Sequence, residues 1–513
     1  MHRTSIRLRA AASLIAVLGL VACSSDKKAS DTTVAPAETT AATAETAAPV
    51  AETQAAAAET TAAAAAAETT AAAAAETTAA AAAAVTEAAA PASNEPQELT
   101  ISYNKTGDWP EPEATLQAAK TGFEAANPGV KINLQSEVAA DDAFRTKTQL
   151  RLQSGKDLPD IIPTTAGFVD ADVKAGYLLP IDSALDTWAD WKTVYPDAIR
   201  EGAKAFDGKT YYIPQASNDI GIWYNKDVFA KAGLPEKWEP QSWADLRTAA
   251  ETIKAKVPGA IPAHLYAGKA SGAIDAIGKT FLPLLYGTGD SLFDFKTNKW
   301  LPAGKGFVDS MTFMQDFYKD GLTAKKADVL SPNVWSFIGP WMKDGKLGFV
   351  PDGNWMSFAW VKGGPNEWTE WGDRLGIATM PTQNPGGKVT IGYKGGGFAV
   401  VKGTKSPNLA MEFIKFASNK EISVGFSLRS GQLAVRSDVA ADPTYADRPT
   451  VPAFSAMLQY AKYIPATEQS DKNWALLSDI VEKVAFNQLS PQQAADKYNA
   501  DMPGVVGKDN FAG

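Results

Sequence analysis

The chain has 513 residues, a formal net charge of −9 and a single cysteine. One cysteine cannot form an internal disulfide, and nothing in the charge balance suggests the basic face that a nucleic-acid partner requires. The two histidines leave no catalytic triad or histidine-rich metal site to build, and the sequence contains no phosphate loop of the G-x-x-x-x-G-K-S/T type. We therefore expect no cofactor, no metal and no nucleic acid.

The N-terminus has the layout of a secretion signal. Charged residues within 1–9 precede an apolar run at 10–20, which is too short to span a bilayer. The run ends in Leu20-Val21-Ala22-Cys23, which resembles the lipobox of bacterial lipoproteins, where the cysteine becomes the diacylated first residue. We expect residues 1–22 to be removed and Cys23 to carry the lipid; an ordinary signal peptide with an incidental cysteine is the alternative.

Residues 23–96 have the composition of a disordered tether. From residue 29 the segment is almost only Ala, Glu and Thr, so it cannot bury a core. Pro36, Pro49, Pro91 and Pro96 argue against one rigid helix. Residues 29–96 carry nine acidic residues and no Lys or Arg, which leaves the folded body close to neutral.

The rest of the chain, from about residue 97, is longer than one hydrophobic core usually organises, so two domains are expected. Strand patterns at 99–103, 130–134 and 160–163 alternate with helix patterns at 113–126 and about 141–153. This alternation favours an α/β fold of parallel sheets with helices on both faces. Such sheets bind ligands at the carboxyl ends of their strands, which marks the predicted loops 104–109 and 164–170.

Three blocks resemble family 1 extracellular solute-binding proteins, the sugar-binding subunits of ABC importers. They follow the order found in that family, and the resemblance covers essentially everything after the tether. The blocks are Ala205-Phe206-Asp207-Gly208-Lys209-Thr210-Tyr211-Tyr212-Ile213-Pro214 with Gly221-Ile222-Trp223-Tyr224-Asn225-Lys226-Asp227-Val228-Phe229 and Ala232-Gly233-Leu234; Met342-Lys343-Asp344-Gly345-Lys346 through Gly353-Asn354-Trp355; and Gly396-Gly397-Phe398-Ala399-Val400 leading into Ala410-Met411-Glu412-Phe413-Ile414-Lys415-Phe416.

The resemblance implies a two-lobe periplasmic-binding-protein fold of type II with the ligand cleft between the lobes. The chain would cross between lobes about three times, near residues 215–220, 393–396 and 437–443, and these crossings would form a hinge that closes around the ligand. The expected limits are 97–217 plus 396–440 for lobe 1, and 218–395 plus 441–513 for lobe 2.

A sugar site combines polar partners for hydroxyl groups with aromatic faces for patches of C–H. The resemblance places Trp355 as a stacking aromatic at the end of a strand, preceded by Asn354 in the same block; a core or surface tryptophan is the alternative. Trp109 and Phe168, in the predicted post-strand loops, are candidates for the opposing wall.

Polar candidates lie at the first crossing and after strands. Asn218 and Asp219 occupy the crossing, where the resemblance implies a polar ligand contact, although these residue types also form turns. Asn104, Asp108 and Asp170 follow strands, and a solvated loop is the alternative for each of them.

The remaining candidates lie later in the chain. Tyr393 and Gly396 lie at the second crossing and could contribute there. Arg429 either reaches the cleft or pairs on the surface. Trp474 begins a helix with apolar spacing, which suits a core residue as well as an aromatic of the second lobe.

The sequence thus predicts a monomeric binding protein, not an enzyme, anchored by lipid on the extracytoplasmic face of the cell membrane. It would capture a sugar, either an oligosaccharide or a glycoside, and deliver it to the membrane subunits of an ABC importer. One alternative is the same architecture with a non-sugar solute, such as a polyol phosphate, thiamine or an iron chelate. Lys105 is nearly the sole cation on the candidate loops, which favours a neutral ligand. The other alternative is an exported glycosidase with paired carboxylates.

Overall fold

A computed structural model of the chain describes residues 97–105, 111–139, 141–272, 275–465 and 467–512. These residues belong to one compact unit of the chain. The predicted signal, the Cys23 lipidation site and the tether lie outside the described residues, as do the site candidates Asp108 and Trp109.

The described strands form two large sheets and one small hairpin. In chain order they are β1 (Glu98–Asn104), β2 (Lys131–Glu137), β3 (Ile161–Thr165), β4 (Tyr212–Pro214), β5 (Ser217–Asn225), β6 (Ile261–Ala263), β7 (Phe293–Asp294), β8 (Lys299–Trp300), β9 (Leu347–Gly353), β10 (Leu375–Ala378), β11 (Met380–Pro381), β12 (Lys388–Lys394), β13 (Gly396–Val400) and β14 (Ala461–Tyr463). The strands predicted at 99–103, 130–134 and 160–163 are confirmed as β1, β2 and β3.

Helices connect and cover the sheets. In chain order they are α1 (Glu111–Ala126), α2 (Asp141–Ser154), α3 (Ala166–Lys174), α4 (Asp182–Asp186), α5 (Ala189–Thr193), α6 (Asp197–Gly202), α7 (Lys226–Ala232), α8 (Trp243–Lys256), α9 (Leu282–Gly287), α10 (Lys305–Lys319), α11 (Lys326–Val329), α12 (Trp335–Lys343), α13 (Trp371–Arg374), α14 (Pro407–Ala417), α15 (Lys420–Ser430), α16 (Ser437–Ala440), α17 (Pro443–Ala446), α18 (Thr450–Met457), α19 (Ser470–Ala485) and α20 (Pro491–Val506). A π-helix, Asp275–Phe281, and a 3-10 helix, Asn354–Ala359, complete the elements used below.

The first sheet has the strand order β2-β1-β3-β13-β4. Strand β1 pairs in parallel with β2 and β3, as the alternation of strands and helices predicts. Leu99 and Ile101 of β1 are fully buried in one hydrophobic cluster with Leu116 of α1 and Phe413 of α14. This cluster and the elements around it are called the first lobe below.

The second sheet has the strand order β11-β12-β5-β9-β6, with β10 also paired to β5 and β14 to β12. Alternate residues of β5 enter cores on opposite faces of the sheet, as the period of a strand requires. Ile222 and Tyr224 join one hydrophobic cluster and Trp223 joins another. These two clusters and the elements around them are called the second lobe.

The expectation of parallel sheets holds for only part of each sheet, since both sheets also contain antiparallel pairs. Strand β13 is antiparallel to β3 and β4, and β5 is antiparallel to β9 and β12. The reason is the route of the chain between the sheets. Strand β5 starts where the chain enters the second sheet, whereas β9 and β12 end at that same edge.

The chain passes between the sheets from β4 to β5 and again from β12 to β13. Gly395 stands in the second passage, and a Cβ on it would lie 2.2 Å from the carbonyl oxygen of Ala216 in the first. Glycine is therefore required here because the two passages are in backbone contact, not only because it is flexible.

A third passage follows α15. The amide of Ser437 still donates to the carbonyl of Val194 in the first lobe, whereas Phe454 packs against Trp223 in the second. The chain therefore changes lobe between residues 437 and 454. The residue limits of the two lobes stay a prediction.

Candidate cleft between the lobes

One edge of the first sheet lies at the passages between the lobes. Asn104 ends β1 there, Thr165 ends β3, and Gly396 begins β13 opposite Thr165 in the register. Parallel strands β1 and β3 thus direct their carboxyl ends to the edge where a ligand is expected.

The segment predicted as a loop at 164–170 is instead the end of β3 and the beginning of α3. Strand β3 runs to Thr165 and α3 begins at Ala166, with Thr165 as its N-cap residue in an extended conformation. No Gly-Pro or Asn-Gly turn separates the two elements, so the chain enters the helix directly. Phe168 and Asp170 consequently lie in the first turns of α3.

The ring of Phe168 is partly buried and has a cation on one face. The guanidinium carbon of Arg145 lies 4.3 Å from the ring centroid. Arg145 is itself fixed by two hydrogen bonds to the buried carboxylate of Asp172, at 2.7 and 2.9 Å. This bidentate pair holds the guanidinium in place beside the Phe168 ring.

Asp170 and Lys174, one turn apart on α3, contact an exposed aromatic. The Asp170 carboxylate accepts a hydrogen bond from the amide of Phe206 at 2.9 Å, and the Lys174 ammonium lies 5.4 Å from the Phe206 ring. Lys174 also pairs with Glu468 at 2.9 Å. Glu468 precedes α19 of the second lobe, so this ion pair joins the rims of the two lobes.

In the second lobe, Trp355 follows the end of β9 directly. Its ring is partly buried and covers Gly353, where a Cβ would lie 2.2 Å from a ring carbon. Gly353 pairs with Ile220 near the start of β5, next to the first passage. Trp355 therefore lies at the edge of the second sheet that faces the passages.

The side chains of Asn354 and Asn218 are hydrogen-bonded to each other. The Asn354 amide nitrogen donates to the Asn218 side-chain oxygen at 3.1 Å and to the carbonyl of Gly431 at 3.0 Å, while its oxygen accepts from the amide of Asp219 at 2.9 Å. Asn218 in turn donates to Gln432 at 3.2 Å. These buried amides tie β5 and the end of β9 to the end of α15.

Asp219 is fully buried on β5. Within the described residues neither of its carboxylate oxygens has a hydrogen-bond partner. Burial alone raises the pKa of this carboxyl from 3.8 to about 8. A neutral acid at the hinge is the expected form at physiological pH.

A buried charged cluster, which sequence reasoning missed, lies beside Trp355. Lys279 of the π-helix pairs with Asp275 at 2.9 Å and with Asp352 at 3.0 Å, and the Tyr266 hydroxyl donates to Asp352 at 2.6 Å. Tyr266, Asp275, Lys279 and Asp352 are called the Lys279 cluster below. Asp275 and Lys279, which lie four residues apart in the sequence, are the signal that could have suggested part of it.

The electrostatics of the Lys279 cluster follow from its burial. Burial raises the pKa of Asp275, although Lys279 opposes that shift. Burial alone would lower the pKa of Lys279, but Asp275 and Asp352 outweigh it, so this pKa is raised and the ammonium stays charged. Burial and the Asp352 carboxylate hold the pKa of Tyr266 well above 10.

The remaining candidates have other surroundings. Trp474 is 9% exposed and packs edge-on against Trp300 in the core, with ring centroids 5.5 Å apart. Arg429 pairs with the buried Glu111 at 2.7 Å, which joins α15 to α1 in the first lobe. The backbone of Tyr393 pairs with Asn218 in the sheet.

Comparison with known proteins decides what this architecture is. The model of the bacterial extracellular solute-binding protein family matches residues 106–423. The chain belongs to this family. This solute-binding protein is 22% identical over 357 residues to the galactooligosaccharide-binding protein of Bacillus subtilis, covering 68% of this chain and 77% of that protein.

Two solved structures resemble the fold of this solute-binding protein. The GacH receptor of Streptomyces glaucescens matches with a TM-score of 0.67 and 22% identity, covering 80% of this chain and 98% of that one. The ABC transporter solute-binding protein of Thermotoga lettingae, bound with α-D-tagatose, matches with a TM-score of 0.67 and 18% identity, covering 80% and 100%. The predicted α/β fold of two lobes with a hinge is confirmed.

The family is one of extracellular binding proteins rather than of enzymes. Within the part of the chain that the structure describes, no helix is both long and apolar enough to cross a membrane.

Proposed function

We propose that this protein captures a sugar between its lobes and delivers it to the membrane subunits of an ABC importer. The observation that carries the proposal is Trp355, a partly exposed ring at the edge of the second sheet that faces the passages between lobes. An aromatic face at such an edge suits the C–H patches of a sugar ring.

The opposing edge supplies the complementary groups. Phe168 offers a ring supported by Arg145, and Asn104 and Asp170 offer an amide and a carboxylate near the carboxyl ends of β1 and β3. Planar amide and carboxylate groups are suitable partners for sugar hydroxyls. We assign Phe168, Asn104 and Asp170, with Trp355, to the ligand site.

The charges favour a neutral ligand over a phosphate. Arg145, Lys174 and Lys279, the cations described above near the two edges, each pair with a carboxylate already. A phosphate would have to compete with those carboxylates for its counter-charge. A neutral sugar needs no such exchange.

The names of the similar proteins point the same way. A galactooligosaccharide-binding protein is among the relatives, and tagatose and acarbose are ligands named for the similar structures. We therefore propose an oligosaccharide or glycoside as the ligand of this chain.

The proposal includes a lipid anchor on the extracytoplasmic face of the membrane. Its support is the Leu20-Val21-Ala22-Cys23 motif after a short apolar run, followed by an Ala/Glu/Thr-rich tether. A flexible chain of roughly 70 residues has an end-to-end distance on the order of 45 Å. The binding domain would then act as a monomer held at a distance from the bilayer.

Calorimetric titration of the protein from residue 97 onward with mono- and oligosaccharides tests the binding function. A saturable heat with a neutral sugar is the expected result. Binding of a phosphorylated ligand but of no neutral sugar would favour the non-sugar alternative. Release of a free sugar from a glycoside would favour the glycosidase.

Metabolic labelling with a fatty acid tests the anchor. The full chain should incorporate label and sediment with membranes, and Cys23→Ser should do neither. Equal membrane association of both forms would contradict the lipid anchor.

A further inference from the structure

The Lys279 cluster lies against the residue to which we assign sugar stacking. The Lys279 ammonium is 5.7 Å from the ring centroid of Trp355 and 4.4 Å from that of Tyr266. Both distances lie within the range in which a cation attracts an aromatic ring. The Lys279 ammonium of the cluster therefore lies over the Trp355 ring.

Asp352 links the cluster to the backbone beneath the Trp355 ring. Its carboxylate accepts from the amide of Gly353 at 2.7 Å, as well as from Lys279 and Tyr266. Gly353 is the residue that the Trp355 ring covers. The Asp352 carboxylate thus binds both the backbone amide of Gly353, beneath the Trp355 ring, and the Lys279 ammonium beside that ring.

A contribution to the stability of the fold does not by itself explain why these charges are buried together. Lys279, Asp275 and Asp352 are 4%, 6% and 0% exposed, so three charged groups have lost most of their hydration. The Coulomb attraction in such a cluster often fails to offset that loss, and apolar replacements of similar volume are frequently as stable. A buried network of this kind is better explained by the geometry it imposes.

The backbone that carries Asp275 and Lys279 also supports a role in imposing geometry. Asp275 and Lys279 are presented by a π-helix, Asp275–Phe281, an uncommon conformation that is frequent at functional sites. The π-helix leads directly into α9.

We propose that Lys279 is a positioning residue for sugar binding, which holds the Trp355 ring in its stacking orientation with the help of Asp275 and Asp352. The inference rests on the proposed function. A ring that is held in place before the ligand arrives loses less conformational freedom on binding. Lys279 itself interacts with the tryptophan ring, and its effect on the ligand passes through that ring.

A double-mutant cycle tests the inference. Lys279→Met alone would leave two buried carboxylates without their cation, so the cycle uses Asp275→Asn/Lys279→Met, which removes one charge of each sign and leaves the net charge of the cluster unchanged. We expect this pair of changes to weaken sugar binding by about 5- to 20-fold, the size of a cation–π contact, in the parent protein. In a Trp355→Leu background the same pair should change the dissociation constant less than about twofold.

The matched control is Lys269→Met. Lys269 also lies between two carboxylates, Asp479 at 2.7 Å and Glu482 at 3.9 Å, but its side chain is 48% exposed. We expect its replacement to leave the sugar dissociation constant unchanged. Thermal unfolding of every variant establishes that each is folded at the titration temperature.

Failure of the positioning role of Lys279 can be distinguished from failure of the proposed sugar binding. Equal weakening in the parent protein and in the Trp355→Leu background would show that the cluster acts on the ligand or the fold directly, and would overturn the positioning role. An affinity that the paired changes leave unaltered in the parent protein would overturn it too. If the parent protein binds no sugar, the proposed function fails first and the inference falls with it.

Discussion

The side-chain amide of Asn354 donates to the side-chain oxygen of Asn218 at 3.1 Å, and neither residue is more than 7% exposed. This bond joins the end of β9 to the start of β5 at the first passage between lobes. Through Gly431 and Gln432 the same pair reaches the end of α15. Three chain segments therefore meet at these two amides, next to the first passage between the lobes.

Asn354→Leu should lower the free energy of unfolding by about 2–4 kcal/mol, since it leaves the Asp219 amide, the Asn218 oxygen and the Gly431 carbonyl buried without their partner. Urea denaturation measures the change. Asn333→Ala, at an exposed position on the surface, serves as the control and should stay within about 0.5 kcal/mol of the parent. A loss below about 1 kcal/mol for Asn354→Leu would refute the structural role.

Trp355→Ala should weaken sugar binding by at least about 30-fold and lower the melting temperature of the free protein less than a core substitution does, because the ring is only partly buried. Trp474→Ala is the matched comparison, since Trp474 packs against Trp300 in the core. It should cost about 3–5 kcal/mol of stability. The folded fraction should keep the parent affinity.

The two tryptophan variants are compared by calorimetric titration together with thermal unfolding. If Trp355→Ala lowered stability as much as Trp474→Ala, the Trp355 ring would be a core residue. Loss of sugar affinity in folded Trp474→Ala protein would instead indicate that Trp474 belongs to the ligand site.

Stability should fall as the pH rises from about 4 to about 8 through Asp219. The unfolded carboxyl ionises near 3.8 and the folded one near 8, so between these values the unfolded state binds fewer protons. The stabilisation is complete below the unfolded pKa and is lost progressively up to the folded pKa, by at most about 1.4 kcal/mol per pH unit.

Asp219→Asn removes the titration and keeps the shape of the side chain. Its free energy of unfolding relative to the parent should therefore rise between about pH 5 and pH 8 in urea denaturation. Asp186→Asn, at an exposed position, provides the control and should show no such trend. A constant difference between Asp219→Asn and the parent at all pH values would contradict the raised pKa.

Lys174→Glu should weaken sugar binding by about two- to fivefold, because it turns the ion pair between the lobe rims into a repulsion that opposes closure. Both side chains are about half exposed, so the effect should shrink in high salt. Adding Glu468→Lys should restore the parent affinity. Failure of the charge reversal to restore binding would mean that Lys174 acts on the ligand and not across the rim.

Hydrophobic periodicity was sufficient to predict the first strands and helices of the folded part, β1, α1, β2, α2 and β3. The burial of Leu116, Ala119 and Phe123 on α1 follows the spacing seen in the sequence. The direct entry of β3 into α3 was missed, because the expectation of a loop at 164–170 came from the general position of binding loops and not from any turn-forming residue. Phe168 and Asp170 kept their place at the sheet edge, but on a helix.

The Lys279 cluster could not have been assembled from the sequence. Tyr266 and Asp352 are 86 positions apart, and only the parallel pairing of β6 with β9 makes them neighbours. Asp275 and Lys279 are four residues apart, but nothing in that spacing shows that they are buried, and Asp352 lies 73 positions from Lys279.

The sequence by itself determined the kind of protein: the alternation of strands and helices, and three blocks that place the chain among solute-binding proteins. The motif around Cys23 predicts where it is held. What only the tertiary structure decided is which side chains each candidate residue has as neighbours. Asn218 and Asn354 are 136 positions apart, yet their side-chain amides are hydrogen-bonded to each other. The physical reason is that hydrogen bonds and ion pairs depend on distances of about 3 Å between segments far apart in the chain, and folding alone sets those distances.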